Sequence, residues 1–425
     1  MRTLEQIAAA LQGYDPQALA VAQVQAFLQA LVTPLPDTAN EEIPLLEAAE
    51  RVLSHDVISP IDVPAHDNSA MDGYAFRGQD LTPTQDTVLR IVGTAFAGKA
   101  WQGTVQAGEC LRIMTGAILP AGLDTVVPQE LCRLNEADAT VTLPGNTVRP
   151  GDNRRLRGED LRQGAAALRQ GQRITPAALG LLASLGLPRV KVMRRLRVAY
   201  FSTGDEVLSL GEAAREGAIY DSNRYTVFGM LRRLGCEVID LGVVPDDPSR
   251  LEQAFSAAAQ QADAVITSGG VSVGEADFTK AMMKKLGDVA FWKIAMRPGR
   301  PMAVGRIGSA VLFGLPGNPV AVMVTFLAFV RPALLHMMGC TDTPAPMLKA
   351  RSLERLRKKP GRTEYQRGIV TRNAQGQLEV RTTGNQGSGV LSSMVSGNGL
   401  IVLDHAQGDV ALGDEVDVLM FEGAL

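Results

Sequence analysis

The segment ITSGGVSVGEADFTK, residues 266–280, sets four small residues (Ser268, Gly269, Gly270 and Ser272) and a further glycine, Gly274, ahead of two acids, Glu275 and Asp277. Glycine permits positive φ and lets a ligand approach main-chain N–H groups. A run of this kind between a buried strand and a helix leaves N–H donors pointing outward, and a phosphate or similar oxyanion suits them. A tight turn that uses glycine for geometry alone accounts for the same residues. Three more polar turns shift the balance: STGDE (202–206), PDDP (245–248) and LPGNP (315–319). They bring Glu206 and Asp246 to the same rim, with Pro316, Asn318 and Pro319 opening the last helix. Asp247 and Asn318 also read as ordinary helix caps.

A magnitude decides what these acids are for. A carboxylate about 4 Å from an anionic ligand costs roughly 4 kcal/mol at an effective dielectric of 20. A helix N-terminus returns only about 0.3–1 kcal/mol. Acids around a phosphate pocket therefore call for a cation between them, and oxygen donors with phosphate select Mg²⁺ over zinc. The alternative is that some of the acids accept hydrogen bonds from the ligand. FWKIAMRPGRP (291–301) supplies Lys293, Arg297 and Arg300 to match an oxyanion, and KKPGRTEYQRG (358–368) supplies Lys358, Lys359, Arg362 and Arg367. A solvated basic loop is the usual explanation of such runs, but the first, sited near a strand end, is expected to face the ligand. Residues 270–274 also match the G-x-S-x-G elbow of hydrolases. The downstream histidines, His336 and His405, lie in an apolar helix and a late turn, and the adjacent acids oppose a developing oxyanion.

The elements that must hold these residues follow from periodicity. From Leu196, strands such as LRVAYFST, CEVIDLGVV and ADAVITS alternate with helices such as SNRYTVFGMLRRLG, the signature of a doubly wound α/β sheet that binds ligands beyond its carboxyl strand ends. Short β-like runs between Gly and Pro turns predict a β-rich region over 62–156, and VPAHDNSAMDGYAF (63–76) reads as a shaped loop. RPGDNRRLRGEDLRQG (149–164) reads as a basic loop, and TPAALGLLASLGL as a helix capped by Thr175. The tail from 339 to 425 reads as a small β-barrel or sandwich.

A chain of 425 residues implies two to four domains. Its 42 Lys and Arg against 45 Asp and Glu exclude a general nucleic-acid binder. Cys110, Cys132, Cys236 and Cys340 show no zinc spacing and read as reduced thiols. The N-terminus lacks the uninterrupted apolar core of a signal peptide, so a cytoplasmic protein is expected. PVAVMVTFLAFVRPALLHMMG is interrupted by Arg331, Pro332 and His336 and reads as a buried helix, with no membrane partner.

DNSAMDGYA, RIMTGA, STGDE, IYDSN, SGGVSVGEAD, FWK and LPGNP, in this order, resemble the molybdopterin molybdenumtransferase family, which includes the gephyrin E domain. The resemblance runs from about residue 20 to the C-terminus. It implies an α/β multidomain fold: a discontinuous linking domain (1–61 and 157–195), a β-rich domain (62–156), a molybdopterin-binding α/β domain (196–338) and a C-terminal β-barrel (339–425). It implies insertion of molybdenum from molybdate into adenylylated molybdopterin, with release of AMP and Mg²⁺ present. It also implies a homodimer whose cleft joins one subunit's α/β domain to the other's β-rich domain, and it admits the upstream adenylyltransferase as a partner.

By the same resemblance, Asp72 and Thr115 are functional positions of the β-rich domain, and Glu206, Asp246 and Asp277 line the nucleotide side and hold the metal. Asp160 is a further acid. Lys293, Arg297, Pro316, Pro319, Arg367 and Ser388 surround the cleft. Two departures bear on oxyanion affinity: Arg297 and Arg300 stand where the family often has lysines, and Asn385 where a histidine is common. Two rivals share the α/β domain, a gephyrin-like scaffold and the molybdopterin adenylyltransferase. The second needs neither the DNSAMDGYA region nor the β tail.

Overall fold

The computed structural model describes residues 2–82, 84–271, 278–341 and 347–422. Its central sheet has six strands in the order Glu237–Val244, Arg197–Thr203, Ala264–Ser268, Ala310–Leu315, Pro301–Ile307 and Gly287–Lys293. The first four run parallel. The last two are antiparallel to their neighbours, a difference from a wholly doubly wound sheet. Chain length explains it, because Gly308 and Ser309 alone join Pro301–Ile307 to Ala310–Leu315, far too short for a crossover helix.

Strand alternation sends successive residues to opposite faces. Ala199, Phe201 and Val265 meet Leu251, Phe255 and Met283 of the helices Pro248–Gln261 and Phe278–Leu286 on one side. Val198, Tyr200 and Ile266 meet Val227 and Leu231 of the helix Ser222–Arg233 on the other, together with the long helix Pro319–Met337. Asp221 caps Ser222–Arg233 and Asp247 caps Pro248–Gln261, each accepting main-chain N–H groups of the first turn. The helix Pro319–Met337 is long and apolar enough to cross a membrane, yet 78% of its apolar window is buried inside the protein. A π-turn at Phe326–Val330 interrupts it, and Gln25 Nε2 donates to the Ala328 carbonyl there at 3.2 Å.

Before this sheet the chain leaves and returns. Asn40–Pro44 pairs antiparallel with Arg189–Met193, and Val57–Ile58 with Ala166–Leu168. The excursion between them builds a second six-stranded sheet, ordered Thr125–Pro128, Gly73–Phe76, Glu109–Ile113, Thr87–Ala95, Thr140–Leu143 and Arg133–Asn135. Its two faces carry separate cores, one around Leu111 and Ile113, the other around Cys110 and Phe76. After the long helix, five strands close into a barrel: Thr363–Arg372, Leu378–Thr382, Met347–Ser352, Glu415–Met420 and Gly399–Leu403, which returns to the first. Tyr365 and Leu400 of that barrel share the main core with the long helix.

The strand that leads to the glycines is fixed at its entry. Asp263 receives a forked pair from Arg194 at 2.7 and 2.8 Å and the main-chain N–H of Arg197 at 2.8 Å. Burial alone would raise the Asp263 pKa, but these donors outweigh it and hold the carboxyl below its ordinary value. A depressed carboxylate stabilises the fold above its unfolded pKa of about 4 and loses that contribution as pH falls through the lower folded value. Asp263→Asn is therefore expected to cost about 2 kcal/mol near neutrality, and urea titrations from pH 7 to 3 should show a shallower acid loss than in the wild type.

The turn itself makes a second demand. Gly269 has φ +91°, and a Cβ there would lie 2.4 Å from the Thr203 carbonyl oxygen. Gly269→Ala is expected to lower stability by about 2–4 kcal/mol, from left-handed strain plus a main-chain clash, measurable by chemical denaturation.

Candidate active site at the strand rim

The four parallel strands end on one edge at Thr203, Val244, Ser268 and Leu315. Arg197–Thr203 has the second strand on one side and the third on the other, so the connections leave it in opposite directions and open a crevice above Thr203 and Ser268. Gly269 and Gly270, at φ +91° and +63°, lay the chain across that crevice. A Cβ on Gly270 would meet the Thr279 side chain at 2.4 Å, so only bare backbone fits between strand end and helix. Ser268 belongs to the floor beneath. It is 2% exposed, and its Oγ lies 2.7 Å from Tyr200 Oη, which also bonds Ser202 Oγ at 2.8 Å. Burial pushes the Tyr200 phenol up, so this hydroxyl cluster stays protonated and neutral.

The acidic loops are tied to the same edge. Thr203 Oγ1 donates to Asp246 Oδ1, and the Asp246 N–H donates to Asp205 Oδ1 at 3.2 Å. Glu206 is exposed and folds back over Gly204, where a Cβ would lie 2.6 Å from its Oε2. Among the described residues no three of His, Cys, Asp and Glu converge on a point that could hold a metal.

Above the glycines lies a cavity of about 560 Å³. Gly269, Gly270 and Glu206 form one wall, Pro316 and Asn318 a second, Arg297 and Arg300 a third, and Gln386 and Ser388 of the barrel close it. Asn318 does not cap its helix as the sequence pattern led us to expect: it occupies the cap position without a side-chain cap bond. Pro319 has no N–H, and the Val320 N–H is already taken by the Ser388 carbonyl at 3.1 Å. This helix start therefore offers fewer donors to an anion than its sequence implies, while the exposed Asn318 amide is left to the cavity.

A smaller cavity of about 230 Å³ adjoins the first and shares Arg297, Pro298 and Gln386 with it. Arg367 lines it while only 1% exposed. Its side-chain partners are neutral: Ser393 Oγ at 2.9 Å and the carbonyls of Gly387 and Asn385 at 2.9 and 3.4 Å. Burial, and then the charge of Arg297, push its pKa down to about 10. Among the described residues no carboxylate pairs with it. A guanidinium buried without a counter-ion is costly, and an incoming anion relieves that cost.

Other expected residues lie apart. Asp72 and Thr115 meet on the second sheet, where Thr115 donates its N–H and Oγ1 to Asp72 Oδ1 at 2.7 and 2.6 Å. Those two bonds, the hydroxyl's first, hold the exposed Asp72 carboxyl below its ordinary value. Neither residue lines either rim cavity. Asp160 is exposed in a turn whose N–H donates to the Val63 carbonyl at 3.1 Å. Lys293 ends its strand and Pro319 begins its helix, and neither forms the cavity wall. Ser272, Gly274 and Asp277 lie outside the described residues.

Two arginines of the basic run 149–164 are spent internally: Arg154 pairs with Asp67 and Arg157 with Asp62, bracing the loop that carries Asp72. Gln386 escaped sequence reasoning. Its only signal is its place in the GNQGS run beside Asn385, since its contacts depend on a barrel loop returning to the sheet.

Three family models match in succession: the MoeA N-terminal region (domain I and II) over residues 19–186, a probable molybdopterin binding domain over 199–336, and the MoeA C-terminal region (domain IV) over 349–421. A molybdopterin molybdenumtransferase of Haemophilus influenzae is 47% identical over 389 residues, 91% of this chain and 95% of that protein. One of Nostoc is 37% identical over 92% of this chain and 91% of its own. A crystal structure of a molybdopterin biosynthesis moeA protein from Pyrococcus horikoshii superposes with a TM-score of 0.81 at 27% identity, covering 95% of this chain and all of that one. With the glycine turn, the strand-rim cavity and the closing barrel loop in place, these matches make the chain a member of the molybdopterin molybdenumtransferase family.

Proposed function

We propose that the rim cavity binds adenylylated molybdopterin and that the protein inserts molybdenum from molybdate into it, releasing AMP. One observation carries this reading. Bare glycine backbone, an exposed carboxylate and two arginines face a single cavity, beside a buried guanidinium without an anionic partner. The Gly269 N–H is donated to the Leu315 carbonyl at 3.2 Å, so the main-chain N–H of Gly270 takes a phosphate oxygen of the nucleotide. Arg297 and Arg300, with Arg367 behind them, receive the tetrahedral oxyanion, for which forked guanidinium donors are suited. Two Mo–S bonds form to the dithiolene as one oxo group of molybdate leaves as water, taking the two thiol protons. The phosphoanhydride between AMP and molybdopterin is hydrolysed, which makes the exchange irreversible. The protein's contribution is position and charge.

The donors present fit Mg²⁺. The cavity wall carries oxygen ligands and neither His nor Cys. Mg²⁺ is commonly held by one or two carboxylates with substrate phosphates and water, so a dedicated three-carboxylate cage is not required. Glu206 and Asp246 would hold it, and the family resemblance adds Asp277. When bound it supplies positive charge against the phosphates.

Asp72 and Thr115 enter, on this reading, from a second copy of the chain in a homodimer. Exposed apolar side chains near the rim support it: Tyr220, Tyr225 and Phe228 are 46%, 48% and 41% exposed, next to Asn223, whose amide donates to the Gly317 carbonyl. Met71 is 44% exposed beside Asp72. The cytoplasm suits the thiols, since burial raises Cys110 to about 12 and Cys132 to about 11 and leaves them unreactive. The upstream adenylyltransferase is the natural donor of the nucleotide.

Purified protein mixed with adenylylated molybdopterin, Mg²⁺ and molybdate should release AMP only when molybdate is added. AMP formed at the same rate without molybdate, or none at all, would refute the assignment. Glu206→Gln should slow release by about a hundredfold with an unchanged melting temperature.

A further inference from the structure

Arg367 and the barrel loop 383–388 hold each other reciprocally. The Arg367 guanidinium binds the carbonyls of Asn385 and Gly387, which flank Gln386. Gln386 in turn grips the main chain of Arg367: its Oε1 accepts the Arg367 N–H at 2.7 Å and its Nε2 donates to the Arg367 carbonyl at 3.1 Å. Nη1 of Arg367 has no protein acceptor among the described residues, and Arg367 borders the smaller cavity. The loop then continues to Ser388, whose carbonyl receives Val320 N–H at the start of the long helix. Gln386 also borders both cavities.

We propose that Gln386 is a positioning residue that sets the Arg367 guanidinium toward the oxyanion substrate and so determines the affinity for that substrate. A planar fork discriminates only when its plane is fixed. In most proteins a carboxylate fixes it. Here neutral carbonyls do so, and they hold no charge that would restore a displaced fork. Their placement is set by the two-point amide grip of Gln386 on the strand. Because Gln386 is uncharged, its loss leaves the charge of the cleft intact and changes geometry alone.

The inference rests on the reading that an oxyanion binds beside Arg297 and Arg367, and the test separates the two. Two variants are compared with wild type in molybdate titrations of AMP release. Gln386→Met keeps the length and removes the hydrogen bonds. Gln386→Glu keeps the acceptor for Arg367 N–H, loses the donor and adds a negative charge.

Gln386→Met should raise the half-saturating molybdate concentration about tenfold, the worth of one hydrogen bond lost at a charged group. The half-saturating concentration should rise more for molybdate than for adenylylated molybdopterin, whose cavity Gln386 also borders. The molybdate value should also rise more than turnover at saturating molybdate falls, the pattern of lost ground-state positioning at the oxyanion. Gln386→Glu should raise the molybdate requirement further, and it carries the test should the Met variant fail to fold. An unchanged molybdate requirement in a folded variant, or a fall in turnover with no shift in that requirement, overturns the proposal. Wild-type AMP release indifferent to molybdate would instead overturn the oxyanion reading beneath it.

Discussion

The structure turns on the contact between the Gly269 main chain and the carbonyl end of the strand Arg197–Thr203. No side chain fits there, because a Cβ would stand 2.4 Å from the Thr203 oxygen. The close approach lets the chain cross the topological switch point on bare backbone, the Gly269 N–H tied to the Leu315 carbonyl at 3.2 Å, directly above a neutral hydroxyl floor of Tyr200, Ser202 and Ser268. Floor and turn together make a surface that is polar without being charged. It can accept an anion without first separating an ion pair.

Charge is then distributed around that surface rather than on it. Glu206 lines the cavity and Asp246 follows the neighbouring strand end, with Arg297 and Arg300 on the opposite wall and Arg367 behind in a sheltered recess. Arg367 is the energetic counterpart of the bare turn, a cation held out of water without a carboxylate partner among the described residues. Its lowered pKa reports that cost. The barrel meets the sheet where this cost is borne, through Ser388 at the long helix and the shared core of Tyr365 and Leu400. A site of this kind needs both bodies in register, which is why the barrel loop matters to a cavity built mainly on the sheet.

Much of this was legible in the sequence, for identifiable reasons. The strand–helix rhythm from Leu196 and the caps at Asp221 and Asp247 are local signals, and local physics sets them. The glycine turn could be placed because strand and turn are contiguous. The antiparallel edge of the sheet was harder, since it depends on the brevity of the Gly308 and Ser309 link rather than on composition. Asn318 misled because its cap bond lost to a carbonyl 70 residues away, at Ser388. The arginines of 149–164 were read as a basic loop, whereas Arg154 and Arg157 pair with Asp67 and Asp62 across the chain's excursion. Gln386 carries no charge and no periodicity, so only tertiary structure exposes it.

The central claim is that the nucleotide's phosphates rest on the bare glycine turn at the switch point, with the Gly270 N–H as donor. A crystal soaked with adenylylated molybdopterin and Mg²⁺ tests this most directly. A phosphate oxygen within hydrogen-bonding distance of the Gly270 amide, with the oxyanion recess toward Arg297 left open, is the predicted result. Nucleotide bound elsewhere, with the glycine turn vacant and closed over, would contradict the account.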